Sequence, residues 1–174
     1  MITQPLWHYG QQKKFIEDYI RSSKLSYINL RPTYIIGEGD HTKRFQYYID
    51  QILNNKPIPI DGSGQKLITF VDAQDVCKII CKLTKKKIVN ESFEISNNEY
   101  TSLDDLTYRL AKIMGYDYMT KKLTSDSPEM AKRLGSYDDE TCIANNFKIK
   151  KALKFKFKSL NSTIRRIYKN YEPA

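Results

Sequence analysis

Tyr9-Gly10-Gln11-Gln12-Lys13 is the first informative stretch of the chain, and Leu30-Arg31-Pro32-Thr33-Tyr34-Ile35-Ile36-Gly37 follows it. Phe15, Ile16, Tyr19 and Ile20 fall at helical spacing and predict a helix over 9–23, with 1–8 a loop broken by Pro5. On such a helix a tyrosine and a lysine four apart share a face. An ammonium beside a phenol stabilises the phenolate and lowers a tyrosine pKa from its unperturbed ~10. A tyrosine placed this way can act as general base on a substrate hydroxyl, or as acid in reverse. The spacing alone is weakly specific, because Tyr108/Lys112 and Tyr118/Lys122 repeat it. Context separates Tyr9 and Lys13. Gly10 directly follows the tyrosine, Glu17 sits one turn past the lysine, and a strand over 25–30 ends at Arg31-Pro32.

Downstream, strands and helices alternate, which predicts an α/β fold. Pro32 is expected to stop ladder pairing locally. A helix is predicted over 42–54, with Phe45, Tyr48, Ile49, Ile52 and Leu53 facing inward. Pro57 and Pro59 keep the extended piece at 57–60 at a sheet edge or in a loop. A glycine-rich turn at 61–64 precedes a strand over 67–71. Asp72 or Gln74 starts a helix through Cys77, Ile80, Cys81 and Leu83, and another strand covers 92–96. Thr101 or Ser102 caps a helix whose stripe is Leu103, Leu106, Leu110 and Ile113-Met114, ended by Gly115. Helices are also predicted over 146–153 and 159–168, while 116–144 carries no readable pattern.

The 174 residues suit about one domain. No apolar run approaches the ~20 residues of a membrane span, and no signal-peptide layout opens the chain. Three cysteines without Cys-x-x-Cys spacing read as reduced core thiols, which implies the cytoplasm. Two histidines, His8 and His41, do not suggest a metal site. The net charge of +9 gathers at Lys85-Lys86-Lys87 and at Lys148, Lys150, Lys151, Lys154, Lys156 and Lys158, near Arg165 and Arg166. A lysine-rich solvated surface accounts for this, and RNA or another anionic partner is the alternative.

Taken in order, these segments resemble the NAD-dependent epimerase/dehydratase family of extended short-chain dehydrogenases/reductases. The likeness runs through the Tyr-x-x-x-Lys helix, the Ile28-to-Asp40 strand and loop, the Pro57-to-Gly64 segment, Phe70-Val71 with Asp75-Val76, and Phe93 to Gly115. It implies a partial Rossmann-like fold, with 1–174 a C-terminal portion of the family's domain. Residues 1–40 would be the residual Rossmann part and 41–174 mainly the substrate-binding part. The resemblance makes Tyr9 the general acid/base and places it with Lys13 in the cofactor site, Lys13 holding the nicotinamide ribose. Pro32 and Thr33 would lie beside the cofactor and Tyr34 beside a sugar substrate, with hydride passing between substrate carbon and nicotinamide.

The departures are informative. Many members carry an arginine two residues before the Phe-Val pair to grip a nucleotide diphosphate, a task its bidentate fork suits; here Ile68 stands there, with Ser63 and Gln74 in place of two aspartates. A subgroup without that arginine includes chloroplast stem-loop RNA-binding proteins. No Gly-x-x-Gly-x-x-Gly turn is present, and nothing in 1–8 matches the family's catalytic Ser/Thr strand. The expectation is the substrate-side half of a sugar or nucleotide-sugar epimerase/dehydratase-like oxidoreductase. It would need a separate N-terminal half-enzyme chain to hold NAD or NADP, or a homo-oligomer to cover its open faces, and would be inactive alone. The alternative is a non-catalytic RNA-binding or scaffold protein of the same fold.

Overall fold

A computed structural model describes residues 6–61, 66–117, 120–123 and 141–171. The elements are α1 (Leu6–Ser22), β1 (Ile28–Pro32), β2 (Tyr34–Ile36), α2 (Arg44–Leu53), β3 (Ile58–Asp61), β4 (Phe70–Asp72), α3 (Ala73–Leu83), β5 (Glu91–Ile95), α4 (Leu103–Met114), β6 (Thr120–Leu123), α5 (Phe147–Leu153) and α6 (Leu160–Lys169). The strands pair in parallel, β1 with β5, β2 with β4 and β3 with β6. Parallel pairing needs long crossovers, and helices supply them. Among the described residues no helix is long and apolar enough to cross a membrane.

Two apolar clusters hold these layers. In one, α2, α4 and α6 pack on β2, β3 and β4, through Tyr48, Ile49, Leu106, Leu110 and Ile164. In the other, α3 and α5 pack on β1 and β5, through Ile79, Leu83, Phe93, Ile149 and Leu153. Ser102 and Ser159 cap α4 and α6 by accepting the N–H groups of Asp105 and Ser162 at 3.2 Å. Gly115 closes α4 in the left-handed region at φ 77°. Gly37 is required for a different reason: a Cβ there would stand 2.8 Å from the Ala73 Cβ, because the exit of β2 presses on the start of α3.

Asp72 joins several of these elements. It ends β4, caps α3 through Gln74 N–H at 2.8 Å, and accepts from Thr163 Oγ1 at 2.9 Å, Arg166 Nη2 at 2.7 Å and Lys158 Nζ at 3.1 Å. Burial pushes its carboxyl up. The hydrogen bonds from Arg166, Thr163, Lys158 and Gln74 outweigh that and hold it below the usual carboxylate range.

Several sequence expectations need correction. α1 starts at Leu6 rather than residue 9; a proline just before or inside a first turn costs no hydrogen bond. The first strand is Ile28–Pro32, not 25–30, because Ser23 N–H still bonds Tyr19 O at 3.0 Å and pairing begins where Asn90 N–H meets Tyr27 O at 2.6 Å. Pro32 does not stop the ladder but sits in it opposite Ile95. Thr33 N–H points to Ile95 O at 3.0 Å, so by alternation the nitrogen of Pro32 faces the other way, where no strand pairs among the described residues. The thiols of Cys77 and Cys81 are exposed rather than in the core, while Ile79 and Leu83 take the inner face of α3. β6 lies inside the stretch that carried no pattern. Residues 62–64 of the predicted turn, and Tyr118, lie outside the described residues.

Candidate active site

Tyr9 and Lys13 lie on one face of α1, and the Lys13 Nζ stands 5.2 Å from the Tyr9 ring centroid. Glu17, one turn further, fixes this helix to the strand. Arg31 on β1 donates Nε–H to Glu17 Oε1 at 2.8 Å and a second, shorter bond from Nη2 to Oε2. The fork is the strong geometry for a guanidinium and a carboxylate. The hydrogen bond from Arg31 holds the Glu17 carboxyl below its ordinary range, and Glu17 raises Arg31 in turn. The sequence displayed both residues but not their pairing.

Helix and strand enclose an open cleft of about 690 Å³ whose walls include Tyr9, Lys13, Glu17, Arg21, Arg31 and Pro32. Tyr9, Lys13 and Pro32 thus line one cleft. Thr33 and Tyr34 are not among the walls. Thr33 is half-buried and gives its N–H and Oγ1 to Ile95 O at 3.0 and 3.4 Å. Tyr34 is half-buried, its ring 6.0 Å from Phe70 and 5.9 Å from the Arg44 guanidinium. Ile68 is wholly buried in the larger core and is here a packing position. The outer face of α1 is open: Phe15 is 71% and Tyr19 68% exposed.

The sequence model of the NAD dependent epimerase/dehydratase family matches residues 2–97, more than half of the chain, from α1 through the strand β5. The chain belongs to this family. A curated relative, chloroplast stem-loop binding protein of 41 kDa b from Arabidopsis thaliana, is 25% identical over 101 residues, which are 58% of this chain and 27% of that protein. Among solved structures, UDP-glucose 4-epimerase from Thermotoga maritima with UDP-glucose matches at TM-score 0.67 and 22% identity, over 90% of this chain and 49% of that one. UDP-glucuronic acid 4-epimerase from Bacillus cereus, in complex with UDP-glucuronic acid and NAD, matches at TM-score 0.69 and 21% identity, over 91% and 50%. The chain therefore spans about half the length of these epimerases and about a quarter of the curated relative. The Rossmann-like α/β arrangement is shared with them over that span.

The family's description names NAD, and the residues on this chain fit one end of it. Lys13 offers an ammonium with three donors, facing the same cleft as the Tyr9 ring and suited to ribose hydroxyls. The described residues hold no glycine turn at a helix start that could cradle a pyrophosphate. No group of His, Cys, Asp and Glu among the described residues could hold a metal ion.

Proposed function

We propose that this chain is the substrate-side half of an NAD(P)-dependent sugar epimerase/dehydratase-like oxidoreductase, active when a dinucleotide-binding half completes it. The observation that carries this is the Tyr9–Lys13 pair opening into the α1–β1 cleft. NAD(P), when bound, supplies hydride acceptance and return. Tyr9 moves the proton of the substrate hydroxyl. The Lys13 ammonium, beside the Tyr9 ring, donates to the ribose. Arg31 and Glu17 keep α1 at a fixed distance from the strand end, and so keep Tyr9 over the cleft. The completing half would also cover Phe15 and Tyr19, since an exposed apolar stripe of this kind marks an interaction face. The buried Ile68 favours a substrate not gripped through a diphosphate at that position. The free thiols suit a reducing compartment such as the cytoplasm.

The test is co-expression with a dinucleotide-binding half from a full-length family member. The complex should bind NAD and turn over a sugar substrate, and Tyr9→Phe should abolish turnover while NAD binding is still detected. Turnover that survives Tyr9→Phe would remove Tyr9 from the chemistry. Co-elution only with further copies of itself would replace the half-enzyme partner by a homo-oligomer.

A second reading, RNA binding, is favoured by one observation. Lys85, Lys86, Lys87, Lys151, Lys154 and Lys156 are all exposed, and no carboxylate meets them among the described residues. Binding to phosphate backbone weakens steeply as salt rises, and Tyr9→Phe would leave it intact.

A further inference from the structure

A second cleft, of about 640 Å³, shares no residue with the Tyr9 cleft. It lies past the carboxyl end of β5, where Asn97, Asn98 and Tyr100 face Asn145, Asn146 and Lys150. Leu67 forms another wall. Leu67 and Ile68 are consecutive in extended backbone and so point to opposite sides. Ile68 points into the core, which puts this cleft on the reverse side of that segment.

The hydrogen bonds around the cleft are one-sided. Asn97 Oδ1 accepts Glu99 N–H at 3.0 Å, and Asn145 Oδ1 accepts Phe147 N–H at 2.9 Å. Asn98 Oδ1 accepts from Lys150 Nζ at 3.1 Å and from Asn146 Nδ2 at 2.9 Å. A backbone N–H and an ammonium can only donate. Each of these amides therefore turns its oxygen to the internal partner and leaves its NH₂ free of that bond. Asn146 Nδ2 shares its two hydrogens among Ser96 O at 2.8 Å, Asn97 O at 2.9 Å and Asn98 Oδ1, and so has none left for the cleft. The NH₂ groups of Asn97, Asn98 and Asn145 donate to nothing among the described residues. Asn97 is only 7% exposed, and its amide nitrogen is not among the fully buried, unpartnered side-chain atoms of the described residues, so it keeps contact with solvent where Asn97 lines the cleft. Lys150 keeps further N–H groups for the same space.

The cleft thus presents donors and a positive charge, beside the exposed ring of Tyr100 and the exposed Leu67 and Ile143. Glu94 turns its carboxylate to Asn145 N–H at 2.9 Å and is not a wall. An acceptor-only anionic head satisfies such a set, and charge assistance strengthens each bond. A neutral hydroxyl oxygen could accept one or two of these bonds but would lack the charge assistance and must still place its own proton.

We propose that this cleft binds a small organic oxyanion, its carboxylate or phosphate head received by the Asn97, Asn98 and Asn145 amides and the Lys150 ammonium, and its ring laid on Tyr100. The site is independent of the Tyr9 chemistry.

Titration of the full, isotope-labelled chain with benzoate, phenyl phosphate and neutral benzyl alcohol tests it by NMR. The anions should shift the side-chain NH₂ signals of Asn97, Asn98 and Asn145 and the Tyr100 ring, and benzyl alcohol should not. Whichever anion binds tighter identifies the head. Asn145→Asp keeps the inner oxygen for Phe147 N–H and turns the outer donor into an acceptor. It should weaken both anions about tenfold, the equivalent of ~1.4 kcal/mol, with an unchanged unfolding midpoint. Lys150→Met should do the same if the first variant folds poorly. Equal binding of benzyl alcohol, full anion affinity in both variants, shifts confined to the Tyr9 cleft, or no shift at millimolar anion would each overturn the proposal.

Discussion

Replacing Asp72 with asparagine probes the junction on which both cores depend. The Asp72 side chain is 2% exposed, and its carboxylate is shared by Lys158 and Arg166, whose side chains keep 24% and 21% exposure. Asparagine retains an oxygen for Gln74 N–H, so the cap on α3 survives. Its NH₂ would face Thr163 Oγ1 and Arg166 Nη2, which now donate to the carboxylate. Breaking a buried pair from one side costs about 3–5 kcal/mol. Water reaches part of both cations, which places the expected loss near the lower end, about 3 kcal/mol. For a chain of this size each kcal/mol moves Tm by about 2–4 °C, so a fall of about 6–12 °C follows. Urea unfolding followed by circular dichroism measures it, with the m-value unchanged. An Arg166→Met leg completes a double-mutant cycle whose combined loss should fall well short of the sum. The contribution is present above the unfolded carboxyl value of ~3.9. Because the folded carboxyl is held lower, it is lost as pH falls through that lower value. A loss below about 1 kcal/mol, the range of exposed pairs, or strict additivity would refute the reasoning and leave α6 held by apolar packing alone.

Glu17→Gln should change global stability by less than about 1 kcal/mol, because the Arg31 side chain is 48% exposed, while amide exchange across α1 accelerates. The same loosening should appear in the wild type on acidification. Glu17 is held below its ordinary range, so the tether stands above ~4.3 and fails as pH drops through the folded value; exchange in α1 that ignores both changes would show the clamp is idle. Tyr171 is pushed up to about 12 by burial and by its hydrogen bond to Asp50. The folded state favours the protonated phenol, so this contribution is complete below ~10 and disappears as pH rises toward about 12. An unfolding midpoint followed across that window should fall more steeply in wild type than in Tyr171→Phe, and identical slopes would exclude Tyr171 as the titrating group.

Where local pattern and tertiary packing agree, the fold was legible. Leu103, Leu106, Leu110 and Met114 fall on one helical face between Ser102 and Gly115, and they are buried as that spacing demands. The Tyr9–Lys13 pair was legible for the same reason, since a helix alone brings the two together. On α3 two candidate stripes compete. Cys77 and Cys81 repeat at the same interval as Ile79 and Leu83, and only the sheet beneath decides which set faces in. β6 is polar in sequence, Thr120-Lys121-Lys122-Leu123, and its pairing is dictated by β3 rather than by its own alternation. Arg31 had several carboxylates in reach of the helix, and choosing Glu17 required the angle between α1 and β1. The donor-lined cleft was the least legible feature. Asparagine carries both donor and acceptor, and only the folded backbone reveals which end is left over.

Pro32 also sets a limit on what can attach to the sheet. On the outer side of β1 the backbone groups of Ile28, Leu30 and Pro32 point outward, by alternation from Thr33. The first two offer a donor and an acceptor, and the last an acceptor only. A strand laid along β1 would find one donor missing at the lip of the cleft that holds Tyr9 and Lys13. The proline thus trims that edge by one donor at the mouth of the cleft, and leaves Ile28 and Leu30 as its complete rungs.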